Sequence, residues 1–262
     1  PTKIIVGDQD RVNKVTQHFD SIEFSTQKRE FKTTTGTFKG KRISVISTGI
    51  GSDNIDIVLN ELDALVNIDL DSRSVKKQLT SLNIVRIGTS GSLQKDIPVD
   101  SFVVSSHGLD LNGMLHYYQI ENIRNTDIEN AFLTHTNWSS NKAKPLIIDN
   151  SKHLEDKLSS HKTYTGITAT AGGFYGPQGR ILRLAIQDNN LNHKIDSFRY
   201  KKHRITNLEM ETSAIYGLSK LMGHHACSIN AIIANRANGT FSENPKKVIA
   251  NLIEYTLQKL VE

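Results

Sequence analysis

The sequence predicts an α/β fold in one domain, a largely parallel sheet flanked by helices, and three observations carry that prediction. The apolar runs are short and near-continuous rather than alternating, as in strands buried on both faces. Between them apolar residues recur at helical spacing, and strands alternating with helices build parallel sheets. No linker, composition break or internal repeat divides the 262 residues, so one domain is expected over 1–262.

In order along the chain, the runs at 3–6, 43–47, 84–87, 102–105, 165–168 and 229–234 read as strands. Ala214, Ile215, Leu218, Leu221 and Met222 mark one helix after an acidic pair. Val248, Ile249, Leu252, Ile253 and Leu260 mark a C-terminal helix that Pro245 opens, because proline suits a first helical turn. The stretch 36–42 looks like a P-loop but has the wrong glycine spacing and precedes a strand, so it reads as a hairpin turn. The polar stretch 67–81 reads as an insertion or a helix-capped loop, 121–150 is similarly polar, and the match of Asn137-Trp138-Ser139 to a glycosylation sequon reads as accidental.

Composition excludes several classes. With 37% hydrophobic and 23% charged residues the chain can bury a core and stay solvated. The net charge of +5 suits an anionic ligand, but the basic residues are scattered, and their densest cluster, at 201–204, reads as a solvated loop rather than a nucleic-acid surface. A single cysteine, Cys227, allows no disulfide framework and favours a reducing, cytoplasmic setting. No apolar run approaches the ~18 residues of a membrane span. The ten histidines form no compact metal pattern, so no metal is expected. Gly49 and Gly51 lack the third glycine of a dinucleotide fingerprint, and no G-x-S-x-G elbow exposes a serine nucleophile.

The segments just beyond the strands are more informative. Gly7-Asp8-Gln9-Asp10-Arg11, Thr48-Gly49-Ile50-Gly51, Gly88-Thr89-Ser90-Gly91-Ser92, Gly172-Gly173-Phe174-Tyr175 and Asn235-Arg236 each come directly after an apolar run. Ligands of open α/β sheets bind at the carboxyl ends of strands, so these segments are expected to share one pocket. Arg86, inside an apolar strand, needs a counter-charge, which a buried carboxylate or a bound oxyanion would supply.

The string Val85-Arg86-Ile87-Gly88-Thr89-Ser90-Gly91-Ser92-Leu93 resembles the strand-and-turn phosphate motif of the nucleoside phosphorylases, bacterial uridine phosphorylase type. That resemblance runs from about residue 3 to the C-terminus and implies a mixed, partly barrel-like central sheet. By it, Gly7, Arg11, Arg86 and Thr89 bind phosphate, and Arg29 reaches into the phosphate site of a neighbouring subunit. Charge-assisted guanidinium contacts are chemically suited to a dianion. Asn207-Leu208-Glu209-Met210-Glu211 resembles the family's ribose signature, with Glu209, Met210, Glu211 and Thr89 around the sugar. Phe174-Tyr175-Gly176-Pro177-Gln178-Gly179-Arg180 resembles the uracil-recognition loop, in which Phe174, Gln178 and Arg180 meet the base. The Gln178 amide would accept from N3–H and donate to O2, while Arg180 donates to O4 and stabilises charge on the departing base. Ile233 and Arg236 complete the base site, and Arg86, Arg180 and Glu211 are the expected catalytic groups.

Purine-cleaving relatives carry a Ser-Asp pair where this chain has Ala234-Asn235, and an amide donates no proton to a purine. Glu30 and Ile50 match positions that hold a monovalent cation in some relatives, although Asn54 stands where a serine is expected. The resemblance further implies a homo-hexamer built from dimers, with inorganic phosphate as co-substrate and no cofactor, no nucleic acid and no membrane partner. A purine nucleoside phosphorylase, a nucleosidase using water and a non-catalytic nucleoside-binding paralogue are the competing readings.

Overall fold

The computed structural model describes residues Pro1 to Glu262. The chain runs β1 (Thr2–Val6), α1 (Gln9–Thr16), β2 (Ser21–Lys28), β3 (Phe31–Phe38), β4 (Lys41–Ser47), α2 (Ser52–Asn67), β5 (Ile68–Asp69), β6 (Ser74–Val75), β7 (Asn83–Ser92) and β8 (Phe102–Asp110). It continues through α3 (Thr126–Thr136), β9 (Leu146–Asp149), α4 (Lys152–Leu158), β10 (Thr163–Thr170), α5 (Leu191–Asp196), β11 (Arg199–Tyr200), β12 (His203–Glu209), α6 (Thr212–Leu221), β13 (His225–Asn235), β14 (Thr240–Phe241) and α7 (Pro245–Val261).

Every strand except the β5–β6 hairpin belongs to one 12-stranded sheet, in the order β11-β12-β10-β8-β13-β7-β1-β4-β3-β2, with β14 on β13 and β9 on β8. The sheet is mixed. β1 runs parallel to β4 and β7, β13 parallel to β7, and β10 parallel to β8 and β12, whereas β13 and β8 are antiparallel. β12 then returns to pair antiparallel with β7, Asn207 opposite Ser92 and Leu208 opposite Gly91. That last pairing closes β7, β13, β8, β10 and β12 into a ring, the barrel-like part of the fold, from which β1, β4, β3 and β2 extend.

Closure depends on how β7 bends. Its first half pairs with β1 and its last two residues with β12, and glycine within a strand permits such a corner. The segment 88–92, expected as a turn, is therefore still strand. Its glycine content reads as a turn in sequence, but its backbone is held by β13 and β12.

Helices cover both faces of the sheet. Val12 and Val15 of α1, Leu154 and Leu158 of α4, and Leu252 and Leu257 of α7 pack with Ile4, Val45, Ile87 and Ile229. On the other side Ile55 and Leu59 of α2 and Ile215 and Leu218 of α6 pack on Ile5 and Ile84. A third cluster joins Phe132 of α3 and Ile195 of α5 to Ile167 and Ile205. As expected, Pro245 opens α7, and the Asn244 side chain accepts from Lys247 N–H to cap it.

Two polar stretches differ from the expectation. Residues 121–150 hold α3 and β9 and contribute Ile128, Phe132, Leu146 and Ile147 to the core. The hairpin read at 36–42 does turn, but at Lys39 and Gly40, both at positive φ, while Gly36 lies inside β3. No helix is long and apolar enough to cross a membrane.

Candidate active site

The carboxyl ends of β1, β7, β12 and β13 and the loop after β10 enclose a cavity of about 410 Å³. Its wall brings together Gly7, Arg11, Arg86, Thr89, Phe174, Gln178, Arg180, Glu209, Met210, Glu211 and Ile233, eleven of the predicted site residues, from segments far apart in sequence. Two others lie outside it. Arg29 sits in solvent at the β2–β3 turn with φ 54°, and Arg236 stands behind Gln178.

Arg86 is the most constrained. Its guanidinium is 2.5 Å from Glu211 Oε2 and 3.4 Å from Glu209 Oε2, and it donates to Asn230 Oδ1 at 2.8 Å. Burial opposes the charge, but the two carboxylates outweigh burial and raise its pKa above the ordinary arginine value. Of the two counter-charges left open in the sequence, the carboxylate is thus present within the chain. The long side chain runs along its own strand, and a Cβ at position 88 would stand 1.8 Å from Arg86 Nη1, so any larger residue there would have to displace the guanidinium.

The acidic pair divides its work. Glu209 accepts from Thr170 Oγ1, from Glu211 N–H and from Thr212 N–H at the start of α6. Burial pushes its carboxyl up and Arg86 pulls it down. A carboxylate at a helix N-terminus is favoured by the free N–H groups and the dipole there, so Glu209 caps α6 as well as bordering the cavity. Glu211 Oε1 accepts from Gly51 N–H at 2.8 Å, tying the loop after β4 to the start of α6.

Arg11 differs from Arg86 in having no carboxylate partner. It donates only to Ile87 O, at 3.3 Å, and its pKa is lowered by burial and then by the like charge of Arg86. An anion in the cavity would relieve both effects. Gly7 and the half-buried Thr89 lie on the same wall, so an unpaired guanidinium, a hydroxyl and a glycine backbone meet at one end of the cavity.

At the other end Gln178 is buried and held by two arginines. Arg180 Nη1, at 2.5 Å, and Arg236 Nη2, at 2.6 Å, both donate to its side-chain oxygen, and Arg236 Nη1 donates to its backbone carbonyl at 2.7 Å. Guanidinium nitrogens only donate, so the atom they share is Oε1, and its lone pairs are taken. In this arrangement the amide presents its N–H groups as free donors, where the sequence predicts an amide that both accepts and donates. The Arg180 guanidinium lies over the Phe174 ring, 3.9 Å from its centroid. Burial lowers the pKa of both arginines, and that of Arg236 falls to about 10, with Arg180 adding like-charge repulsion. This end of the site is consequently electropositive and rich in donors.

Two further sequence expectations can be placed. The Asn235 side chain donates to Gln94 O and Ile97 O at 2.9 and 2.8 Å, away from the cavity. Near Glu30 and Ile50, Asn54 Nδ2 points at Ile50 O from 3.5 Å, placing a donor against the carbonyl that a cation would need. Asp8 and Ser90, which the strand-end segments included without a role, also line the cavity, as does Phe241, which sequence reasoning missed because it gives no signal in its polar surroundings.

The fold and the cavity together define an α/β protein whose strand ends gather guanidinium, amide and hydroxyl donors around one cavity. Residues 2–261 match the model of the Phosphorylase superfamily, and the chain belongs to that family. It is 27% identical to the uridine phosphorylase of Thermococcus kodakarensis over 99% of this chain and 82% of that protein. It is 25% identical to the DeoD-type purine nucleoside phosphorylase of Bacillus subtilis, covering 99% of this chain and 93% of the other. Among solved structures, a Trypanosoma brucei nucleoside phosphorylase described as showing uridine phosphorylase activity superposes with a TM-score of 0.87 at 26% identity, over 99% of this chain and 92% of that one.

Proposed function

We infer that this protein catalyses the reversible phosphorolysis of uridine to uracil and ribose 1-phosphate. The observation that carries the reading is the polarity of one cavity, with an unpaired guanidinium and a free hydroxyl at one end and a donor-only amide flanked by two guanidinium groups at the other. Similarity to the uridine phosphorylase of Thermococcus kodakarensis and to the Trypanosoma brucei enzyme supports it.

In this reading Arg11, Thr89 and the Gly7 backbone hold inorganic phosphate, the second substrate, beneath the ribose, and Arg29 of a neighbouring subunit completes the grip. Glu211 and Met210 hold the sugar, with Arg86 fixing Glu211 in place. A phosphate oxygen attacks C1′ as the C1′–N1 bond breaks, and the bond electrons leave with uracil. Gln178 N–H and Arg180 face the carbonyl oxygens over which that negative charge spreads, where stabilisation lowers the barrier. No covalent enzyme intermediate and no cofactor is required, since positioning and charge can supply much of the rate. The reading carries with it one catalytic domain, a cytoplasmic location, a role in pyrimidine salvage and a hexamer built from dimers.

Purine cleavage is the second reading, favoured by resemblance to the Bacillus subtilis enzyme. Against it, the amide of Asn235 is buried, is engaged with backbone carbonyls and carries no transferable proton. A phosphorolysis panel separates the two. Uracil should be released from uridine only when phosphate is present, with inosine left intact. Cleavage of inosine with uridine untouched would reverse the base assignment, and cleavage without phosphate would make the protein a nucleosidase.

A further inference from the structure

The interior of the closed ring of strands is polar. Arg86, Ser90, Ser105, Thr168, Asn207, Ser228 and Asn230 are all buried there, where an apolar filling would be the cheaper choice. Their hydrogen bonds form one continuous line. Arg86 Nη1 donates to Asn230 Oδ1 at 2.8 Å, and Asn230 Nδ2 meets Ser105 Oγ at 3.4 Å. Ser105 Oγ lies 2.5 Å from Thr168 Oγ1, which donates to Asn207 Oδ1 at 2.8 Å, and Asn207 Nδ2 meets Ser90 Oγ at 2.9 Å.

The direction of this line is set at its first link. A guanidinium has no acceptor, so the Asn230 atom facing Arg86 is the oxygen, and its NH₂ donates onward, to Ser105 Oγ at 3.4 Å and to Ser228 Oγ at 3.3 Å. The Ser105 hydrogen then finds its acceptor in Thr168, and that of Thr168 in the Asn207 oxygen, since any other choice leaves a buried hydroxyl hydrogen without a partner. The Asn207 NH₂ consequently faces Ser90, whose oxygen is occupied as an acceptor. Ser90 forms part of the cavity wall, and its own O–H is the only end of the line without a partner inside the protein. The next residue, Gly91, lies at the base end, because a Cβ there would be 3.5 Å from Arg236 Nε.

The geometry points to Ser90 as a further substrate-contacting residue, a hydrogen-bond donor to an acceptor atom on the nucleoside rather than to phosphate, with Asn207 and Asn230 as positioning residues that orient it from Arg86. Bonds aligned donor to acceptor polarise one another, so a cation at the head strengthens the donor at the tail. The inference rests on the nucleoside reading above. It adds that the buried arginine serves two ends, fixing Glu211 directly and Ser90 through five hydrogen bonds.

Steady-state phosphorolysis of uridine tests it. Ser90→Ala should lower kcat/KM for uridine by about 10-fold, as expected for one lost hydrogen bond to the substrate, and leave the KM for phosphate within about twofold. Asn207→Asp replaces the NH₂ that faces Ser90 by an acceptor and turns the hydroxyl inward. It should reproduce the loss of Ser90→Ala in a protein whose thermal melt remains cooperative, and the double variant should be no worse than Ser90→Ala alone. If the aspartate variant does not fold, Ser90→Ala still decides the matter. An unchanged kcat/KM for uridine, or a loss shared equally by the phosphate KM, would overturn the assignment. A wild-type enzyme active on no nucleoside would instead overturn the underlying reading, and this inference with it.

Discussion

Gln178 carries the most information of any residue in the site. Sequence placed it beside the base with a two-way amide, but two guanidinium groups from positions 180 and 236 converge on its oxygen and leave it a donor. Nothing in the local string could have told this, because Arg236 arrives from the end of β13. Arg180 has two roles, holding the Gln178 oxygen and reaching the cavity. Arg180→Ala should therefore lower kcat/KM for uridine at least ~10-fold, the loss of a charged contact worth roughly 1.5–3 kcal/mol. Arg236→Ala should raise the uridine KM with a smaller change in kcat, since it acts through Gln178. Steady-state kinetics of both variants check this, and an unchanged rate for Arg180→Ala would remove it from the site. Arg86 was legible as a buried cation in need of a partner. Its carboxylates, Glu209 and Glu211, lie far along the chain and were not.

The elements around Arg86 account for what the sequence hid. Strand β7 was legible over residues 84–87, where valine and isoleucine dominate, and not beyond, because Gly88, Ser90 and Gly91 have turn composition. Those same residues make the strand work, since Gly88 leaves room for the Arg86 guanidinium and the bend allows β12 to pair. Gly88→Ala should displace Arg86 from Asn230 and the two carboxylates and cost about 3–5 kcal/mol, the penalty for breaking a buried ion pair. A large drop in melting temperature would be the readout, and an unchanged melt would mean that the pair tolerates rearrangement. Helices α6 and α7 were legible from their apolar spacing and the proline at 245. Helix α3 was not, since its few buried residues, Ile128 and Phe132 among them, are scattered among charged and amide neighbours. Strand β2 is exposed along its whole length, so burial leaves no alternating pattern to read.

At the scale of the molecule, one pairing between β12 and β7 turns an open sheet into a ring and sets the two ends of the site against each other. Strand periodicity specifies α/β class but cannot specify which strand returns to which, so the barrel was legible only through family resemblance. The polar ring interior explains why Ser105, Thr168, Asn207 and Asn230 interrupt otherwise apolar strands. It also places the acidic pair, Arg86 and Ser90 on a common hydrogen-bonded frame. Under the proposed function phosphate lies against Arg11 and Thr89 and uracil against Gln178 and Arg180. A crystal structure of the protein soaked with uracil and phosphate tests this most directly. Phosphate should lie within hydrogen-bond reach of Arg11 and Thr89 with a uracil carbonyl oxygen on the Gln178 NH₂, whereas density for both molecules elsewhere, with that cavity filled only by solvent, would contradict the assignment.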